Sequence, residues 1–329
     1  MSDLRLVYLS HAMDVFRPTE AQVRRFADLC GDGADVRRCT SEAEFLALLP
    51  EARAVFVWDF RQEWFDRAPK LRHLCTPAAG RDYFRVVPPP RVAMHYGTFH
   101  GAIMAETALG ALLACTHGLL PFASAMRRDG GGKAWPRRDI MLRSRRLCGQ
   151  TVAILGFGRI GRAFGALVKP FGATVIGVRR SPVPDPAAAD RVAGVGELDE
   201  VLPLADHVAS FLPSGPETDG LLDARRLALL KPSAFLYNFG RGNLLDEEAL
   251  AGALRRNALA GALLDVFREE PLPADSPLRD APNCFLYPHA SAFAPDYLDL
   301  YFAKAAAEIR KLNAECTMHE EPRPAREEG

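Results

Sequence analysis

The sequence predicts an α/β protein with two domains, each built on an open parallel sheet, and three features predict it. Short apolar runs alternate with helix-patterned segments along most of the chain, as in repeated strand–helix units. One such run, Val152-Ala-Ile-Leu155, leads straight into Gly156-x-Gly158-x-x-Gly161 and then a helical pattern over residues 162–169. The chain, at 329 residues, is also longer than one ordinary core supports.

Composition narrows the functional classes. Forty-one basic and 41 acidic residues balance, so no overall field draws the chain to nucleic acid or an anionic membrane. The longest apolar stretch, within residues 102–120, carries Glu106 and His117 and does not approach a membrane span. The opening Met-Ser-Asp-Leu-Arg has no signal-peptide pattern. Seven cysteines (Cys30, Cys39, Cys75, Cys115, Cys148, Cys284 and Cys316) are scattered without a CxxC pair. Free thiols, no metal site and a cytoplasmic location are therefore expected.

In the first part, strands are expected at residues 5–10, 35–40, 54–58, 71–76 and 91–96. Between them, Pro18 and Thr19 open a helix over 20–30, Ser41-x-x-Glu44 reads as a capping box for a helix over 41–49, and residues 63–67 make a short turn of helix. Ligands of such sheets sit beyond the carboxyl ends of the strands, which singles out Trp58-Asp59-Phe60 and the loop 78–83 as cleft walls. Residues 99–126 read as one long, Ala-rich helix ending in the glycine-rich run Arg127-Arg-Asp-Gly-Gly-Gly132.

After the glycine loop, strands are expected at 173–178, 207–212, 234–239, 261–266 and 283–287, with helices at 197–202, 223–230, 247–256 and 296–313. The tail 320–329 is charged and proline-rich, a composition that resists ordering. Each glycine of the loop serves a mechanical purpose. Gly156 allows a tight turn, Gly158 close approach of backbone to a pyrophosphate, and Gly161 helix–strand packing. The helix that follows offers N–H groups and a positive dipole end to phosphates. Dinucleotide binding is the function this setting implies, with Arg159 and Ile160 completing the turn.

Three further stretches are Asn238-Phe-Gly-Arg241-Gly242, Leu264-Asp265 running to Glu270-Pro271-Leu272, and Tyr287-Pro288-His289-Ala290. Together with the glycine loop, in this order and spacing, they closely resemble the D-isomer-specific 2-hydroxyacid dehydrogenase family. The resemblance covers nearly the whole chain and is strongest from Glu106 to Ala292. It implies two Rossmann-like doubly wound domains, a dinucleotide-binding one over 99–290 inserted into a substrate domain made of 1–98 and 291–319. It also implies a homodimer, a small 2-keto or 2-hydroxy acid as substrate, and a catalytic Arg241, Glu270 and His289.

Those residue types suit the chemistry. Histidine can give a proton to a developing alkoxide near neutral pH, a carboxylate can orient and charge-balance it, and a guanidinium can grip a substrate carboxylate through two parallel hydrogen bonds. Taken singly each has a plainer reading: His289 as a loop histidine, Arg241 as a solvated turn residue, Glu269 as an equal candidate to Glu270. Their joint occurrence in matching motifs favours catalysis. The loop Ala78-Ala79-Gly80-Arg81-Asp82 resembles the family's glycine-rich substrate-carboxylate loop, with Ala78 in place of its first glycine. Pro213, Thr218, Phe239, Gly240 and Asp265 match positions that hold or face the cofactor.

The residues after the second strand of this domain choose the cofactor. NAD sites place an acid there for the ribose 2′-hydroxyl, whereas arginine accommodates a 2′-phosphate. This chain has Arg179-Arg180-Ser181, and Asp185 is held off between prolines. NADP(H) is therefore expected over NAD(H). That strand ending and Val57-Trp58 resemble the NADPH-dependent glyoxylate/hydroxypyruvate reductases, and Trp58, Phe60 and Tyr83 are expected to wall a small pocket suited to a compact 2-keto acid. Arg81 and Arg85 keep a phosphorylated acid such as 3-phosphoglycerate in view, and dinucleotide-sensing binding proteins share the fold.

Overall fold

The structure is a computed structural model, which describes residues 3–31, 33–80, 86–128 and 137–319. The chain divides into two compact units, Met1–Phe99 with Ala294–Gly329, and His100–Phe293.

The first unit starts with β1 (Asp3–Tyr8), α1 (Glu20–Cys30), β2 (Ala34–Arg38), α2 (Glu42–Leu48), β3 (Ala54–Val57), β4 (His73–Cys75) and β5 (Ala93–His95). Its strands are all parallel, in the order β2-β1-β3-β4-β5. Every residue of the central β3 is buried, as a parallel strand covered on both faces requires. Thr19 caps α1 with a full capping box closed by Gln22. The box expected at α2 is only half made. The Ser41 hydroxyl accepts the Glu44 N–H, but the Glu44 carboxylate reaches past Ser41 to the Thr40 N–H at 2.8 Å.

The second unit begins with α3 (His100–Thr116), α4 (Leu119–Arg128) and α5 (Arg137–Arg143). The helix expected over 99–126 is thus two, bent by 63°. The bend falls at Gly118, whose φ of +72° is a left-handed conformation that glycine adopts freely. The Phe122 ring also takes the space a Cβ on Gly118 would need. Residues 129–132 of the expected glycine-rich run lie outside the described residues, as does the tail 320–329.

Then follow β6 (Thr151–Leu155), α6 (Arg159–Val168), β7 (Thr174–Val178), β8 (Arg191–Ala193), α7 (Leu198–Val201), β9 (His207–Ser210), α8 (Ala224–Leu227), β10 (Phe235–Asn238), α9 (Glu247–Arg255), β11 (Gly261–Leu264) and β12 (Cys284–Leu286). They form one parallel sheet, β12-β11-β10-β9-β6-β7-β8. The edge strand β8 is not among the expected elements. The order in which strands are added reverses at β6, and such a switch point opens a crevice at the carboxyl ends. Alternate residues of β6 serve opposite faces. Val152 and Ile154 pack with Met104, Leu112 and Phe164 from α3 and α6. Ala153 and Leu155 pack with Leu198, Val201, Leu250 and Leu254.

α10 (Tyr297–His319) returns to the first unit and lies on α1. Phe302 stacks on Phe26 with ring centroids 4.7 Å apart, and Gln22 and Arg25 both bond to Asp299.

Candidate active site

β6 runs into a turn at Gly156, where φ is +86° and a Cβ would meet the Phe211 carbonyl carbon at 2.9 Å. At Gly161 a Cβ would stand 2.5 Å from the Gly156 carbonyl oxygen, so only glycine lets α6 lie this close to its strand. Gly158 is different: nothing lies within 4 Å of its would-be Cβ. Its backbone borders open space, and no side chain caps the α6 N-terminus that follows. Turn, open approach and close packing are what a pyrophosphate cradle needs, and the residues present fit a dinucleotide.

That space is a cleft of about 930 Å³. Gly156 and Gly158 form its floor, Arg179, Arg180 and Ser181 at the end of β7 one wall, and the loop after β9 from Pro213 to Thr218 the other. The Thr218 hydroxyl, 2.8 Å from the Pro213 carbonyl oxygen and 3.0 Å from that of Gly215, ties this loop together. Arg180 Nη1 reaches across to Glu217 Oε2 at 3.4 Å. Asp185 is engaged elsewhere, by Arg162 of α6.

The second group of residues comes from three strand ends. β10 closes on Asn238, fully buried, whose carboxamide oxygen accepts the Gly240 N–H and whose NH₂ donates to the Arg241 carbonyl, at 3.1 and 3.0 Å. The glycines flanking Arg241 are required by close backbone approach. A Cβ on Gly240 would lie 2.4 Å from the Leu212 carbonyl oxygen, and one on Gly242 would lie 1.8 Å from the Phe267 carbonyl carbon. Arg241 is therefore held on a pinned loop, half-buried, with Nη1 donating to the Gly240 carbonyl.

After β11, the buried Asp265 carboxylate accepts the Ala290 N–H at 2.8 Å and the Ser291 N–H at 3.3 Å, while its backbone carbonyl accepts the His289 N–H at 2.8 Å. This holds His289 at φ +49°, a conformation rare for a non-glycine residue and a common form of strain at functional sites. His289 Nδ1 lies 2.7 Å from Glu270 Oε2, and Glu270 Oε1 accepts the Phe267 N–H at 3.0 Å. Each of the two side chains is 35% exposed. Burial pushes the Glu270 carboxyl up, but the hydrogen bonds from His289 and the Phe267 N–H, with the charges of His289 and Arg241, outweigh it and hold the group below its ordinary value. With the Nδ1 proton given to a carboxylate, an assignment made from the partner, Nε2 is the ring atom left to carry or release a proton.

Residues 109–291 match the family model described as D-isomer specific 2-hydroxyacid dehydrogenase, NAD binding domain. Glyoxylate/hydroxypyruvate reductase B of Pectobacterium carotovorum subsp. carotovorum (strain PC1) is 34% identical over 236 residues, 69% of this chain and 71% of that one. The chain belongs to the D-isomer-specific 2-hydroxyacid dehydrogenase family. D-3-phosphoglycerate dehydrogenase of Mycobacterium leprae (strain TN) is 32% identical over 85% of this chain but 53% of its own length, so the chain spans about half of that relative. A D-isomer specific 2-hydroxyacid dehydrogenase from Xanthobacter autotrophicus Py2, solved in complex with NADPH and MES, superposes with a TM-score of 0.76 at 26% identity, over 94% of this chain and 95% of that one.

Within this dehydrogenase family member, the expected cofactor residues separate into three sets. Gly156, Gly158, Arg179, Arg180, Ser181, Pro213 and Thr218 line the cleft together. Arg159, Ile160 and Gly161 form the first turn of α6. Phe239 is in the core, stacked on Phe211, and the Asp265 side chain is fully buried against the loop that carries His289.

In the first unit, Trp58 is half-buried beside Phe16 and Tyr297, with its indole N–H donating to the Phe16 carbonyl. Ala79 and Gly80 follow β4, with Ala79 exposed. Phe60, expected on a pocket wall, instead packs into the core against Trp64 and Phe65. The Asp59 carboxylate accepts the Phe60 N–H at 2.9 Å. Arg81, Asp82, Tyr83 and Arg85 lie outside the described residues. Three contributions lie beyond the sequence reading: Asn238 and Asp265 as braces, and Glu217 in the cleft. Asn238 has a signal, since Asn two residues before glycine is a habitual turn former. Glu217 has none, because only the fold of the 213–218 loop brings it to Arg180.

Proposed function

We propose that this protein is an oxidoreductase that reduces a small 2-keto acid of the glyoxylate or hydroxypyruvate kind to the D-2-hydroxy acid, with NADPH as reductant. The Glu270–His289 contact of 2.7 Å carries the reading. A carboxylate-held imidazole beside a pinned arginine is the equipment that carbonyl reduction asks of a protein. Gly156, Gly158, Arg179 and Arg180 would hold the dinucleotide, which would supply the hydride. Arg241 grips the substrate carboxylate and polarises the neighbouring carbonyl, and His289 Nε2 delivers the proton to the carbonyl oxygen. Glu270 keeps the ring oriented and balances its charge until the proton leaves. Trp58, Ala79 and Gly80 are the proposed substrate contacts.

Arg179, Arg180 and Ser181, with no acid at the end of β7, support NADPH, as does the NADPH-bound relative from Xanthobacter. The nucleotide domain is taken as residues 99–290 within a substrate domain, the enzyme as a cytoplasmic homodimer. NADPH oxidation followed across a panel of 2-keto acids tests the reading. Turnover of glyoxylate or hydroxypyruvate, with NADPH preferred to NADH, is the expected result. Oxidation of 3-phosphoglycerate in preference to these would assign the phosphorylated acid instead. Tight NADPH binding without turnover of any acid would make the protein a dinucleotide-binding module.

A further inference from the structure

The cleft holds one feature the fold does not demand. Among its described lining residues Glu217 is the single carboxylate, in a cleft that Arg179 and Arg180 also line. It lies 3.4 Å from Arg180, with side-chain exposures of 73% and 81%. The loop that carries it is stiffened by Thr218 on the Pro213 and Gly215 carbonyls and anchored by the Gly220 N–H on the Asn243 carbonyl. Arg179 is placed differently: it is less exposed, and its backbone N–H bonds to the Ala193 carbonyl of β8. Arg179 is thus anchored through its backbone, whereas Arg180 has the cleft's one described acid within 3.4 Å.

We propose that Glu217 is a cofactor-specificity residue that acts as an internal counter-ion for Arg180. This rests on the reading that Arg179 and Arg180 receive a 2′-phosphate. A solvent-exposed pair with a single close contact is weakly held, whereas a phosphate monoester brings a charge of about −1.5 to −2 and three acceptor oxygens. A 2′-phosphorylated dinucleotide therefore takes Arg180 from Glu217 and leaves the carboxylate beside an anion, which reduces its net gain. A 2′-hydroxyl cofactor leaves the pair intact. Glu217 thereby narrows the preference that the two arginines create.

Calorimetric binding of adenosine 2′,5′-bisphosphate and adenosine 5′-monophosphate to the full chain at low salt isolates the effect, since the ligands differ only in the 2′-phosphate. Glu217→Gln is expected to tighten the bisphosphate about 3–5-fold, the upper end of what one exposed charge interaction contributes, with the monophosphate unchanged within about 2-fold. Arg180→Ala is expected to abolish that gain in the double variant. An unchanged bisphosphate affinity in Glu217→Gln overturns the proposal. So does a weakened monophosphate, which would mean that Glu217 accepts from ribose hydroxyls. If Arg179→Ala with Arg180→Ala lowers both ligands equally, the 2′-phosphate reading itself fails. If that pair loses only the bisphosphate while Glu217→Gln changes nothing, the counter-ion proposal fails alone.

Discussion

Glu270 holds its charge because the hydrogen bonds it accepts and two nearby cations outweigh the cost of burying it. The sign of the shift fixes the pH window. A carboxyl lowered from its ordinary value of 4.5 contributes fully above that pH and loses its contribution as pH falls through the lower folded value. Through the neutral range His289 therefore always faces an anion. Glu270→Gln keeps an acceptor for the ring but removes the charge. We expect kcat for reduction to fall about 10–100-fold with dinucleotide affinity retained. Steady-state turnover of the purified variant beside calorimetry checks this, and an unchanged kcat would make Glu270 a mere spacer. His289→Asn is expected to cost about 10²–10⁴-fold in kcat with dinucleotide affinity retained, measured by turnover beside calorimetry. At this scale the proposed catalytic residues Arg241, Glu270 and His289 and the arginine pair stand out in the sequence because they sit in contiguous motifs. Phe60 is not, because neighbouring letters in a loop do not say which way a ring turns.

The loop after β12 is held by the end of β11. Asp265 supplies one buried carboxylate to two backbone N–H groups of the His289 segment, so its effect on chemistry runs through position. Asp265→Asn leaves one amide oxygen for two donors. It should destabilise the second unit by about 1–3 kcal/mol, the cost of an unmet buried hydrogen bond. It should also lower kcat with little change in KM for the keto acid, as read from urea melts and steady-state kinetics. Equal stability with normal kcat would show that the loop keeps its shape unaided. Strands are the readable elements here: β3, β6 and β10 are apolar runs because both faces are covered. β8 escapes notice because three residues beginning with an exposed arginine carry no such pattern. The α3–α4 break does so because a lone glycine in an Ala-rich run looks tolerable until its φ is known.

Each unit holds a histidine whose surroundings favour its neutral form. Burial pushes His207 down to about 4, its ring set between the Tyr237 hydroxyl and Gln150. His73, against His95, is also pushed down to about 4, first by burial and then by the His95 charge. In the unfolded chain both titrate near 6.5. Between that pH and about 4 the unfolded chain binds protons the folded one refuses, so stability falls as pH falls across this window and levels off below it. For His207, 2% exposed, the loss is on the order of 3 kcal/mol. Urea midpoints should therefore drop as pH falls from about 6.5 to about 4. His207→Gln should flatten that drop for the second unit, and an identical drop in the variant would place the proton elsewhere.

The pairing of α1 with α10 also sets an order of events during synthesis. Phe26 emerges from the ribosome early, whereas Phe302, the ring it stacks on, follows the whole of the second unit. At elongation rates of roughly 5–20 residues per second, the nascent first unit waits on the order of ten seconds or more for its last helix. Through that interval the α1 face that α10 will cover stays open to water and to other chains, while the second unit has all of its strands and can close first. Protein yield should accordingly depend on chaperone supply during translation more than on the stability of the finished molecule.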